Sequence, residues 1–322
     1  MMQIVLIGLG AGAASALLFA SVASGSSISL ILTNFAQLPI LIAAIGWTHL
    51  SGLMAVFIAS AGLGLILGPS VGFLYMIGVA LPALWIGYLA LLARPAADGG
   101  PEMEWYPVGR IVMWTAIASS AVVVIWLLRD GADMESVRRA LRREIDLFFR
   151  LLVALRVTSV GDAERTREAL VLIVPGMKAI GFTLISLLNV WLAARIVKVS
   201  GRLRRPWPPI ALMTFPPFAP AALASAVGAT FLPELLGLFG SVVTASLLLA
   251  YALLGFAVLH FVTLGAPGRS LMLTGLYCTA VVFSWPLLLV MSVLGLLETM
   301  FMLRARVAAR RPPPPPGSIN RP

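Results

Sequence analysis

Charge is scarce in this chain. Only 11% of its 322 residues are Asp, Glu, Lys or Arg, where soluble domains sit near ~25%. Two histidines, His49 and His260, leave a histidine-rich metal site improbable. The single cysteine, Cys278, excludes an intrachain disulfide and a cysteine-based zinc site, and says nothing about compartment. No HExxH and no GxxxxGK[ST] occurs, so neither a zinc protease nor an intrinsic ATPase is supported. All five aspartates fall in polar connecting stretches, which removes a paired intramembrane aspartyl site. The expectation is a protein without catalytic residues, cofactor or metal.

What is abundant is apolar sequence: 60% hydrophobic residues and a mean hydropathy of +1.00. That is too apolar for a water-soluble core and too long for one or two spans. It predicts an all-α polytopic integral membrane protein. The net charge of +10 then reads as loop charge facing anionic lipid. No soluble basic domain exists to bind nucleic acid. The N-terminal stretch MMQIVLIGLGAGAASALLFASVASG imitates a signal peptide but lacks a positive leading region, so it reads as the first transmembrane helix.

A crossing needs about 20 apolar residues. On that measure, spans fall near 3–23, 28–46, 52–69, 71–93, 109–128, 170–196, 210–231 and 235–264. The run 270–303 is too long for one crossing and divides at Pro286 into 270–285 and 287–303. Basic residues orient these spans. Arg202, Arg204 and Arg205 lie in the acid-free turn KVSGRLRRPWPP, and Arg304 and Arg306 open the basic C-terminal stretch, so both are expected on the cytoplasmic side as topology or lipid anchors. The expected topology has ten transmembrane helices with both ends cytoplasmic, or eight if 210–231 and one C-terminal half do not cross. The divisions are N-terminal transmembrane helices over 1–128, an extramembrane insert over 129–168, C-terminal transmembrane helices over 169–303, and a basic, proline-rich disordered tail over 304–322.

The insert has a pattern of its own. Met134, Val137, Leu141, Ile145, Phe148, Leu152 and Leu155 recur three and four apart, making one apolar helical face opposite Arg138, Arg139, Arg142, Arg143 and Arg150. This predicts an amphipathic helix that lies in the lipid interface as a strut or docks on a partner. The glycines of GLGAGAASA, and Gly64 with Gly68, have the small-residue spacing that lets membrane helices approach closely.

Ionisable groups inside spans are costly, and each is a functional hypothesis. Lys178 follows Pro175–Gly176 near the outer edge, where its amine can snorkel to water. Glu298 precedes Arg304 by six residues, a depth of ~9 Å. Asn189 and His260 fall at a similar level. Two readings stay open: Asn189, His260 and Glu298 line a ligand-binding cavity facing the cytoplasm, or Glu298 is a structural group bonded to a neighbouring helix. Asn34 and Gln37 form a second, weaker polar patch.

Two segments carry a family resemblance. One is LLGFAVLHF followed by GLLETMFMLRAR, with Gly255, Gly295, Glu298 and Arg304. The other is VLIVPGMKAIGFTLISLLNVWLAARIVKVSGRLRRPWP, with Asn189 before a basic turn. Together they resemble the YybS-like predicted membrane proteins (domain of unknown function 2232) over nearly the whole chain. Glu298 stands where that pattern usually has aspartate, and Leu254 where a glutamine precedes the glycine. The family is distantly similar to the substrate-binding subunits of energy-coupling-factor transporters. The resemblance implies a transporter-like, small-molecule-binding subunit in the bacterial cytoplasmic (inner) membrane, working with other membrane subunits or an ATPase module. The alternative is a membrane scaffold holding partners or anionic lipid through the insert and the basic loop.

Overall fold

A computed structural model describes residues 1–96, 103–154, 160–282 and 284–310. The expected polyproline tail, Arg311 and Leu155 lie outside the described residues. The chain is an all-helical, polytopic membrane protein. Among the described residues, seven spans are long and apolar enough to cross a bilayer: Met2–Ser24, Ile28–Gly46, His49–Leu67, Pro69–Leu91, Val108–Asp130, Ala169–Val199 and Glu234–Val262. A pair bent by 69°, Trp285–Phe301 with Leu303–Ala309, makes an eighth if the two helices are counted as one span.

The first half is built by close packing of small residues. Helix α1 (Met2–Ala20) buries Gly8, Gly12 and Ser15. A Cβ on Gly8 or Gly12 would collide with Met54, Ala55 or Ile58 of α4 (His49–Leu67). The GLGAGAASA spacing is therefore a helix-packing face. Gly68 does a different job: its φ of +103° turns the chain from α4 into α5 (Pro69–Tyr75). The second span is broken into α2 (Ser27–Thr33) and α3 (Gln37–Gly46). A π-helical turn at Met76–Ala80 joins α5 to α6 (Leu81–Leu91). A small antiparallel ribbon, Ala93–Pro95 with Met103–Trp105, leads to α7 (Val108–Leu127). Sequence patterning gave no hint of it.

The amphipathic helix α8 (Met134–Ala154) turns its apolar face onto the protein itself. Val137, Leu141 and Ile145 are buried among Val123 and Leu127 of α7, Val171 of α9 (Val160–Val199), and Leu238 and Val242 of α11 (Glu234–Val262). At about 1.5–3 kcal/mol per fully buried side chain, three such residues outweigh any surface pair on this helix. Lys178 sits below α8, its amine bonded to Glu144 and 3.6 Å from the Trp126 ring centre. It is thus paired rather than simply snorkelling.

Helix α11 is the central post: 61% of its apolar window is buried inside the protein, against 17% for the N-terminal span. It packs against α7, α9, α10 (Ala219–Ala229) and α13 (Ser284–Phe301). Gly255 and Gly295 let α11 and α13 touch backbone to backbone, since a Cβ at either would strike Met291 or Tyr251 carbonyl oxygen.

The C-terminal half departs from ten full-length spans. Residues 210–231 do not form a transmembrane helix. Ile210–Leu212 is a 3₁₀ turn, and only Ala219–Ala229 is α-helical, 11 residues or ~16 Å against ~30 Å of hydrocarbon. Pro216 and Pro217 account for the late start. Yet Met213 packs beside Tyr251 and Ala257, while Leu238 packs at the α8 end, so the chain traverses α11's length between them. Helix α12 (Arg269–Val282) has 14 residues, and α14 (Leu303–Ala309) folds away from α13 at Met302, whose φ is +50°.

Candidate functional site

The 3₁₀ turn ending at Met213 leaves the Ala211 and Met213 carbonyls turned into the protein without α-helical partners, where each needs a donor. Arg304 supplies two. Its Nη1 donates to Ala211 O at 2.7 Å and its Nη2 to Met213 O at 2.9 Å. Glu298 holds that guanidinium: Arg304 Nε donates to its Oε1 at 2.8 Å, and the Arg304 backbone N–H donates to Oε2 at 3.0 Å. Both side chains are 9% exposed. Arg304 is therefore no surface anchor but half of a buried clamp. Arg306 remains exposed, near the Phe301 ring.

The expected layer of Asn189, His260 and Glu298 does not become one site. Glu298 belongs to the clamp. Asn189 is fully buried and donates to Asn34 O at 2.8 Å and to Ile185 O at 2.9 Å, which ties it to the break between α2 and α3. Its Oδ1, Gln37 Oε1 and Ser186 Oγ are buried without partners. His260 bonds instead to Tyr277 of α12 at 2.7 Å.

Of the three, His260 alone lines a cavity of about 670 Å³. Helices α7, α9, α11 and α12 form its walls, and the strap Leu203–Met213 closes one side. The walls are aliphatic and aromatic, with Ile111, Leu187, Trp191, Leu253 and Phe256 among them. Prolines at 206, 208 and 209 keep the strap extended. Its arginines divide their work. Arg202 lies over the Trp47 ring at 4.6 Å, Arg204 is exposed, and Arg205 turns inward. Arg205 Nη1 donates to Ala90 O at 3.4 Å and Nη2 to Tyr106 O at 3.2 Å, across the mouth of the β ribbon. Trp207 is flanked by Lys198 and Arg195 at 4.9 and 5.9 Å.

The electrostatics of the cavity are one-sided. Arg205 and Arg269 line it, and no Asp or Glu does among the described residues. Both arginines have a buried Nε–H with no acceptor. Burial pushes the Arg205 guanidinium down from its usual range, though arginine stays protonated in proteins. Sequence reasoning missed this placement of Arg205 and Arg269. The available signal was an acid-free basic turn followed by Trp-Pro-Pro. No group of three or more His, Cys, Asp or Glu is placed to hold a metal among the described residues.

Fold and cavity together define the class: a multi-pass α-helical membrane protein with a lateral, largely apolar cavity and a cationic floor. Compared with family models, curated proteins and solved structures, the chain matches none of them.

Proposed function

We propose that this chain is a transporter-like membrane subunit that binds a small molecule in the cavity beside Arg205 and His260, and that draws any energy it needs from a partner ATPase module. One observation carries the reading. A cavity of about 670 Å³, walled by apolar side chains around a few converging polar groups, has the size and make-up of small-molecule sites. The reading places the protein in a bacterial inner membrane with the arginine-rich end of α9, the strap and α14 on the cytoplasmic side.

Native mass spectrometry of the detergent-purified protein tests it. A retained small molecule is expected, and Ala194→Trp, which fills the cavity from α9, should remove it while the protein stays monodisperse. A preparation without bound molecules, whose cavity variant behaves identically, sinks the reading. Co-purification of an ATPase subunit tests the second half.

The scaffold alternative rests on the exposed arginine face of α8, where Arg138 and Arg142 reach solvent. Its apolar docking face is used internally. That leaves the exposed arginines, with Leu147 and Phe148 beyond the buried stripe, for attachment to acidic partners or lipid.

A further inference from the structure

This protein answers its buried charges with care, which makes the cavity unusual. Arg304 has a carboxylate and two carbonyls. Lys178 has Glu144 and the face of Trp126. Among the described residues, Arg205 has two carbonyls, no carboxylate within bonding reach, and a buried Nε–H with no acceptor; the Arg269 Nε–H is likewise buried and unanswered. Two guanidinium groups that cannot shed their protons thus line one low-dielectric cavity with no acid among the described residues. An anion is the missing partner, and guanidinium N–H groups suit the oxygens of a carboxylate or phosphate.

The rest of the wall selects what is attached to that anion. Aliphatic side chains of α7, α9 and α11 provide no further charge, so the ligand body must be apolar. The way in is lateral. Leu184, Leu188 and Trp191 of α9 and Tyr277 of α12 line the cavity yet are 51%, 43%, 46% and 48% exposed, on surface that faces lipid in a spanning protein. Trp191 and Tyr277 also have the amphipathic rings favoured where hydrocarbon meets headgroups.

We infer that the cavity takes an anionic amphiphile from the adjoining leaflet, its carboxylate or phosphate head held by Arg205 and Arg269 and its single apolar chain lying along α9 and α11. This inference rests on the cavity being the small-molecule site. The Tyr277 hydroxyl, fixed by His260 Nε2, adds a polar group at the mouth.

The test uses the full chain in phosphatidylcholine nanodiscs with 11-(dansylamino)undecanoic acid, followed by energy transfer from Trp191 and Trp207, and the methyl ester of the same probe as its uncharged twin. Saturable binding of the acid is expected, at least about tenfold tighter than the ester. Arg205→Gln and Arg269→Gln should each weaken the acid by about tenfold and leave the ester unchanged, the loss of one charge-assisted hydrogen bond. Arg205→Lys, which retains the charge, should stay within about threefold, a readout that lost folding would not spare. Dodecyl phosphate should displace the probe, and inorganic phosphate should not. Displacement by inorganic phosphate alone would assign the arginines to a soluble anion and overturn the amphiphile. Equal binding of acid and ester overturns the head-group assignment but leaves the cavity a small-molecule site. Failure of both probes to bind saturably overturns the cavity reading itself.

Discussion

Replacing Glu298 with Gln removes the charge that holds Arg304, while keeping the volume and one acceptor oxygen. The guanidinium stays buried, 9% exposed, with the carbonyls of Ala211 and Met213 as its remaining strong partners. Removing one member of a buried pair costs about 3–5 kcal/mol. A neutral interhelical hydrogen bond in a membrane protein is worth only ~0.6 kcal/mol on average. The two magnitudes separate a charged clamp from ordinary polar glue. Arg304→Met should cost a similar amount, since it strands the carboxylate and takes donors from both carbonyls. The pair Glu298→Leu with Arg304→Met removes both charges but leaves those carbonyls without donors, at about 1–3 kcal/mol each. The double variant should therefore remain clearly less stable than wild type, with a coupling of about 0.5–3 kcal/mol. Reversible unfolding in mixed detergent micelles measures all four corners of the cycle. A Glu298→Gln variant within about 0.5 kcal/mol of wild type, the range of uneventful surface changes, would refute the clamp. So would a double variant fully restored to wild-type stability.

Three further predictions follow from the packing. Breaking the Lys178–Glu144 pair with Glu144→Gln should cost less than about 1 kcal/mol, because both side chains keep solvent contact; hydrogen exchange should rise over 134–154 without a change in global stability. Gly255→Val places side-chain atoms against the Met291 carbonyl and should destabilise by about 1–3 kcal/mol or more, with α11 and α13 losing exchange protection together. Reporter fusions after residues 160 and 205 should give opposite signals, because the span Ala169–Val199 separates them; matching signals would overturn the topology.

Much of the fold was legible in the sequence because it follows from run length and period. Apolar stretches of about 20 residues located the spans, and the three-and-four spacing from Val137 to Ile145 located α8. Period alone could not say what α8 would face, since a lipid surface and a protein surface select the same apolar stripe. Hydropathy alone predicts a span over 210–231, but Pro216 and Pro217 delay the helix to Ala219. The candidate site was less legible. Arg304 served as a marker of the interface, and Glu298 was placed by counting back from it along a straight helix. The left-handed residue at Met302 bends that ruler by 69°, and nothing in the residue type announces it. Arg205 and Arg269 lie 64 positions apart in the chain, and only the strap and α12 bring them to one cavity.

The clamp also bears on how the protein is made. Arg304 lies 93 residues beyond Ala211 and 91 beyond Met213. When the strap first leaves the ribosome, the donors that make its carbonyls tolerable in the membrane do not yet exist. The segment must therefore wait in a wet or interfacial position while α11, α12 and α13 are inserted around it. Its final seating follows the insertion of α11 to α13 and waits for the arrival of α14. The cavity that the strap closes accordingly acquires its last wall only after α14 has been made.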